Sequence, residues 1–238
     1  MLHSLMKRAV LLLATVMFAS LTAVHSDTSS VCGDDTRTQV TDPRIGKIFV
    51  TEVSEQVCTA TLIASNCAVT AGHCLHLLSK ARFGSLAYEV DPASVQGLDQ
   101  DIGKDWAVLK FKKSPFGPPG ARFGFLKMSF TEPIAGEPVK IAGYGEDHRF
   151  GGRRNFSLQE ADGSIGALEH ELFGRTLVHD VDTMGGNSGS AIIRSSDHAV
   201  IGIHTHSGCG SHILGSNMGT VLAGNAKLQE AIRRCAKD

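Results

Sequence analysis

Short runs of apolar and β-branched residues recur along this chain, and no long helical pattern separates them. Examples are Ile45 to Val53, Cys58 to Ile63, Ala68 to Ala71, Trp106 to Phe111 and Pro138 to Ala142. Further on come Arg175 to Val178, Ala191 to Arg194 and Ala199 to His204. Gly, Asn, Asp or Pro separates most of these runs. That punctuation predicts an all-β sandwich or barrel, because parallel βαβ units would need helical crossovers between strands. The 26 glycines, against 7 prolines, suit the turns. With 238 residues the chain can build one or two domains with their own cores. One helix is expected near the end, over Ala226 to Arg234. There Leu228, Ala231, Ile232 and Cys235 share a face and Arg233 and Arg234 occupy the last turn.

Lys112 to Arg122 carries Ser-Pro-Phe-Gly-Pro-Pro-Gly and reads as a linker between two halves. We divide the chain into a signal peptide (1–26), an N-terminal segment that is a possible short propeptide (27–44), a first β-barrel (45–118) and a second with the terminal helix (119–238). Lys7 and Arg8 precede a largely apolar stretch from Ala9 to Leu21, with Val24-His25-Ser26 as a cleavage site. The stretch is too short to span a bilayer, which needs roughly 20 apolar residues. Export to the extracellular space is the expectation, with no membrane contact after signal removal. The net charge of −1 gives no reason to expect a nucleic-acid partner. The expected partner is a protein or peptide substrate, and the protein is expected to be monomeric. Asn155-Phe156-Ser157 is a glycosylation sequon, meaningful only where exported proteins are glycosylated.

Six cysteines in an exported chain read as disulfides. Spacing alone leaves about 15 pairings open. Cys58 lies before, and Cys74 directly after, a candidate functional histidine, so a bridge between them would close a hairpin and pin that residue.

Three short motifs carry chemistry. Gly185-Gly186-Asn187-Ser188-Gly189-Ser190 leads into the apolar run Ala191-Ile192-Ile193. A hydroxyl nucleophile needs a tight turn that projects its oxygen and aims backbone N–H groups at a developing oxyanion. Glycines on both sides permit that backbone, and the donors would be the amides of Gly186 and Ser188. An ordinary Gly/Ser turn between strands would look the same. Thr70-Ala71-Gly72-His73-Cys74 offers an imidazole as general base, a group suited to proton exchange near neutral pH. Asp105-Trp106-Ala107-Val108-Leu109 sets an acid directly before a buried strand, where it could orient the imidazole. Asp99 and Asp101 are nearby rivals, but only Asp105 abuts the apolar run.

These three motifs, in the order His, Asp, Ser, resemble the chymotrypsin-like serine proteases, and the match runs from about Cys32 to the terminal helix. The resemblance implies two six-stranded antiparallel β-barrels with a C-terminal α-helix and a catalytic triad of His73, Asp105 and Ser188 between the barrels. It implies peptide-bond hydrolysis through an acyl-enzyme, without a cofactor. It also implies contact of Thr205 with Asp105, and pairing of the backbone from Thr205 to Ser207 with substrate. For the disulfides it suggests Cys58–Cys74, with Cys67–Cys235 and Cys32–Cys209, although Cys67 could pair with Cys32 or Cys209 instead.

Asp34 to Asp42 and Gly202-Ile203-His204-Thr205 resemble the bacterial-type glutamyl endopeptidase branch, apart from Thr36, where that branch tends to carry Asp. There a histidine like His204 and a threonine like Thr183 bind an acidic side chain, implying cleavage after Glu or Asp. Asp182, six residues before Ser188, argues instead for a trypsin-like pocket selecting Arg or Lys. An ionised Asp182 in the pocket would repel an acidic substrate. The branch resemblance and His204 favour Glu, which requires Asp182 to turn away from the pocket or to orient a neighbouring histidine. Activation by a cut after Arg44, before Ile45-Gly46, is rejected. It would need an acid where Asn187 stands, and an unpaired buried ammonium is costly. A mature start between Asp27 and Val31 fits better. His204, His206, Cys209 and His212 could suggest a metal, but an exported cysteine is oxidised more readily than it is metallated, so no metal is expected. A non-catalytic binding module is the alternative of another class.

Overall fold

The computed structural model describes residues 30–51, 56–98, 101–169, 175–209 and 215–237. The proposed signal peptide, most of the proposed mature start, Asp99 and His212 lie outside the described residues.

Two antiparallel sheets follow each other along the chain. The first uses β2 (Ile45–Phe49), β3 (Val57–Ala64), β4 (Cys67–Thr70), β5 (Lys80–Phe83), β6 (Leu86–Glu89), β7 (Gln96–Leu98) and β8 (Trp106–Leu109). Their order is β6-β5-β2-β3-β4-β8-β7. Just past β6 and β8, a bridge between Val90 and Phe111 draws the two ends together, with Asp91 N–H donating to Lys110 O at 2.9 Å and Lys112 N–H to Glu89 O at 2.9 Å. Beyond the six expected strands, β7 is an added edge on β8.

The second sheet comprises β9 (Pro138–Gly143), β10 (Gln159–Glu169), β11 (Thr176–His179), β12 (Ala191–Arg194), β13 (Val200–His206) and β14 (Asn217–Val221). It runs β10-β11-β14-β13-β12-β9 and closes into a barrel because β9 pairs with both β12 and β10. The short β1 (Thr38–Gln39), from the N-terminal segment, joins the edge of β10.

Ile63, Val69, Trp106 and Val108 of the first half share one core with Ala191, Ile193, Val200 and Ile203 of the second. Leu228, Ala231, Ile232 and Cys235 of helix α2 (Ala226–Ala236) complete it. Burying each large aliphatic side chain there is worth about 1.5–3 kcal/mol, so one packed core holds the two halves together. Asn225 caps α2, its side chain accepting from Leu228 N–H at 3.2 Å. In the expected linker, Pro119–Phe123 forms a single helical turn, α1, because Pro118 and Pro119 preset its entry.

The disulfides are Cys58–Cys74, Cys67–Cys235 and Cys32–Cys209. The second ties α2 to β4, and the third ties the N-terminal segment to the chain just beyond β13. No helix among the described residues is long and apolar enough to cross a membrane.

Candidate active site

His73 stands in a 3₁₀ turn (Gly72–Leu77) that follows β4, and Asp105 stands directly before β8, the strand hydrogen-bonded to β4. Pairing of those two strands brings together residues 32 positions apart: His73 Nδ1 lies 2.5 Å from Asp105 Oδ2 and His73 N–H donates to Oδ1 at 2.8 Å. The acid is 1 % exposed, whereas the imidazole is half-buried. A carboxylate gripped at both oxygens fixes the ring's orientation and leaves Nε2 for other partners. Thr220 Oγ1 donates to the Asp105 carbonyl at 2.7 Å, anchoring this end of β8 to β14.

The turn Gly185 to Ser190 docks beneath the His73 turn. Ser188 O accepts from Thr59 N–H at 2.8 Å and lies 3.8 Å from Cys74 Sγ, in the residue after His73. Gly189 N–H donates to His204 O at 2.8 Å. Gly186 and Gly189 have φ of 95° and 88°, and a Cβ at either would collide with neighbouring backbone, at 2.3 Å from Tyr144 O and 2.2 Å from Thr59 O respectively. Only glycine fits both positions, which explains the sequence pattern. Asn187 N–H donates to Met184 O and Ser190 N–H to Asn187 O, whereas the amides of Gly186 and Ser188 donate to no acceptor among the described residues. Two unpaired N–H groups therefore flank a half-buried serine hydroxyl.

His204 is buried on β13, and a bulge at Thr205 interrupts the pairing of β13 with β14. Bulges commonly re-aim side chains beside functional sites. The His204 ring meets His179 of β11 across β14, with His179 Nε2 3.1 Å from His204 Nδ1. Burial lowers the pKa of His179 to about 3, against a small upward pull from Asp180. Burial, then the nearby His179, His206 and His73, push His204 well below the usual histidine range. Both rings are neutral at neutral pH. His179 escaped the sequence reading, because a single histidine ending a strand carries no signal until the sheet register sets its partner.

Thr183 is fully buried, its N–H donating to Ser30 O at 3.2 Å and its hydroxyl accepting from Asn217 Nδ2 at 3.3 Å. Asp182 faces the N-terminal segment. Its Oδ1 accepts from Cys32 N–H at 2.7 Å, and its Oδ2 accepts from Thr36 N–H at 2.9 Å and Thr36 Oγ1 at 2.6 Å. An Asp at position 36 would set two carboxylates against each other, so Thr36 suits Asp182. Thr205 Oγ1 lies 2.8 Å from His206 Nδ1, and Ser207 follows the end of β13, half-buried. The Cys209 sulfur, one of the group considered for a metal, is bonded to Cys32. Likewise the Cys58–His73–Cys74 cluster has both its sulfurs joined to each other.

A trypsin-like peptidase domain is matched over residues 58–203, more than half of the chain and inclusive of all three motifs. The chain belongs to this peptidase family. Its fold is that of the chymotrypsin-like serine proteases. A Glu endopeptidase in complex with MPD is 22% identical, covers 87% of this chain and 100% of its own, and superposes with a TM-score of 0.70. The protease Anisep from Arthrobacter nicotinovorans is 18% identical, covering 85% of this chain and 100% of that one, with a TM-score of 0.65. A mutant of human heparin binding protein is 16% identical, covering 84% and 96%, with a TM-score of 0.63. At these identities the likeness is one of fold. No curated protein sequence matches the chain.

Proposed function

We propose that this peptidase is an exported serine endopeptidase that cuts after acidic residues, Glu foremost, through an acyl-enzyme. The observation that carries the catalytic part is the doubly bonded His73–Asp105 pair beside the Ser188 turn with its two unpaired amides. In this reading His73 Nε2 takes the Ser188 hydroxyl proton as the oxygen attacks the scissile carbonyl. Asp105 stabilises the imidazolium, and the amides of Gly186 and Ser188 receive the oxyanion. His73 then returns the proton to the leaving amine, and water, activated the same way, releases the acyl group. No step needs a metal or cofactor. Three disulfides support an oxidising destination, hence secretion.

Selection of an acidic side chain is supported by His204, backed by His179. With His179 donating to Nδ1, a neutral His204 carries its proton on Nε2 and can donate it to a substrate carboxylate, aided by Thr183. The trypsin-like alternative needs Asp182 to face the pocket, yet both its oxygens are engaged by Cys32 and Thr36.

Mass spectrometry of peptides cut from a mixed protein digest, with Ser188→Ala as control, tests the reading. Cuts after Glu, absent with the variant, are expected. Cuts after Lys and Arg would hand selection to Asp182. No cleavage, with no labelling by a serine-hydrolase inhibitor, would point to a binding module.

A further inference from the structure

The N-terminal segment touches the site at more points than a passing chain would need. Ser30 forms an isolated bridge with Thr183. Asn217 Nδ2 ties Ser30 O, at 2.6 Å, to Val181 O at 2.8 Å and Thr183 Oγ1 at 3.3 Å. Cys32 and Thr36 close on the Asp182 carboxylate, which is 4 % exposed, and Cys32 is covalently joined to Cys209.

A second arm reaches the oxyanion turn. Arg37, itself buried, chelates Asp35 and sends Nη1–H to Glu146 O at 2.8 Å. Glu146 N–H in turn holds Gly185 O at 2.7 Å, one residue before Gly186. Arg149 clasps the segment from outside, donating to Asp35 O at 3.0 Å and Arg37 O at 3.2 Å. Each arm thus ends within one residue of a group assigned to substrate: Thr183 for one, the Gly186 amide for the other.

We propose that Ser30 to Arg37 is a permanent strap that holds the acid-accepting pocket and the oxyanion turn in working shape, with Asp182 and Thr36 as its positioning residues. The proposal rests on the endopeptidase reading above. It gives the acid beside Thr183 a task other than binding substrate. It also supplies an ordering device where Asn187 cannot pair with a newly cut amino terminus. A carboxylate accepting three bonds is a strong, directional anchor, because charge-assisted bonds are about twice as strong as neutral ones. Thr36 is exposed, so changing it leaves the core intact and loosens one station of the strap.

The test compares the parent with Thr36→Ala and Thr36→Ser. On a peptide substrate, Thr36→Ala should raise KM about tenfold while kcat moves less than about threefold, the size expected when one bond to a charged group is lost. Thr36→Ser keeps the donor and should recover most of that loss. Labelling by a small organophosphonate that does not fill the pocket should keep its rate, which a general loss of structure would not allow. Hydrogen exchange over residues 181–184 should accelerate about tenfold in Thr36→Ala and not in Thr36→Ser. An unchanged KM in Thr36→Ala with an active parent overturns the strap. If the parent cleaves nothing, the endopeptidase reading fails, and the exchange measurement still decides: equal exchange in parent and variant overturns the strap by itself.

Discussion

Mild acid should destabilise this protein beyond what its carboxylates require, because His179 is stored as a neutral ring. Its pKa falls from 6.5 to about 3, chiefly through burial. In the unfolded chain the ring titrates near 6.5. Above about pH 6.5 both states hold it neutral, and its full contribution to stability is present. As the pH falls from there toward 3, only the unfolded chain takes up the proton. Each pH unit then favours unfolding by about 1.4 kcal/mol. At pH 4.5, two units below the unfolded value, this one ring has withdrawn about 3 kcal/mol, a large part of the 5–15 kcal/mol that holds a typical domain. His204 acts in the same direction, its own pKa being lowered by the same burial.

The assay is urea unfolding between pH 7.5 and 4.5, on a Ser188→Ala background to prevent self-cleavage. It compares that protein with one also carrying His179→Gln, which keeps an N–H donor toward His204 Nδ1 but does not titrate. Gln should flatten the dependence of unfolding free energy on pH by about 1.4 kcal/mol per unit between pH 6 and 4.5. The comparison is of slopes, so any constant loss from imperfect packing of Gln drops out. Parallel slopes would refute the reasoning, since they would mean that His179 binds its proton equally in both states.

Asp105→Asn should leave the fold intact and lower kcat by about 10⁴, measured on a peptide ester, since an amide at the buried end holds the imidazole in the wrong tautomer. Gly189→Ala should destabilise the protein by about 3 kcal/mol or more in thermal unfolding, because its Cβ would stand 2.1 Å from Thr70 Oγ1 at a φ of 88°. Replacing both Cys67 and Cys235 by Ser should cost about 2–5 kcal/mol in urea, as the tie between α2 and β4 is lost.

The sequence displays those parts of the site that chemistry restricts to few residue types. Gly186 and Gly189 are glycines because no other residue fits, and His73 and Asp105 each adjoin the strand that positions them. The strands rich in β-branched residues were legible for the same local reason. By contrast β10 carries Gly163 and Gly166 among polar residues, and its strand character comes from pairing with β9 and β11 rather than from its own propensity. His179 was illegible because its meaning lies in a partner 25 residues away across a neighbouring strand. Spacing could not choose among disulfide pairings either: Cys32–Cys209 and Cys67–Cys235 join residues 177 and 168 positions apart.

Asp182 shows why selectivity is harder to read than catalysis. Six residues before the serine proposed as nucleophile, an acid has two futures, and composition is silent on which. The choice depends on where its lone pairs are used. Here three donors from Cys32 and Thr36, 150 and 146 positions away, converge on one carboxylate. Turning that carboxylate toward a cationic substrate would leave two backbone amides and a hydroxyl to find other acceptors. A bond to a charged group is worth about 1.5–3 kcal/mol, so the forfeit is comparable with what a new ion pair to Arg or Lys could return. On the endopeptidase reading proposed above, the N-terminal segment weighs on substrate choice: while it stays docked, Cys32 and Thr36 occupy both oxygens of Asp182, and an acidic side chain entering beside His204 would meet neutral donors.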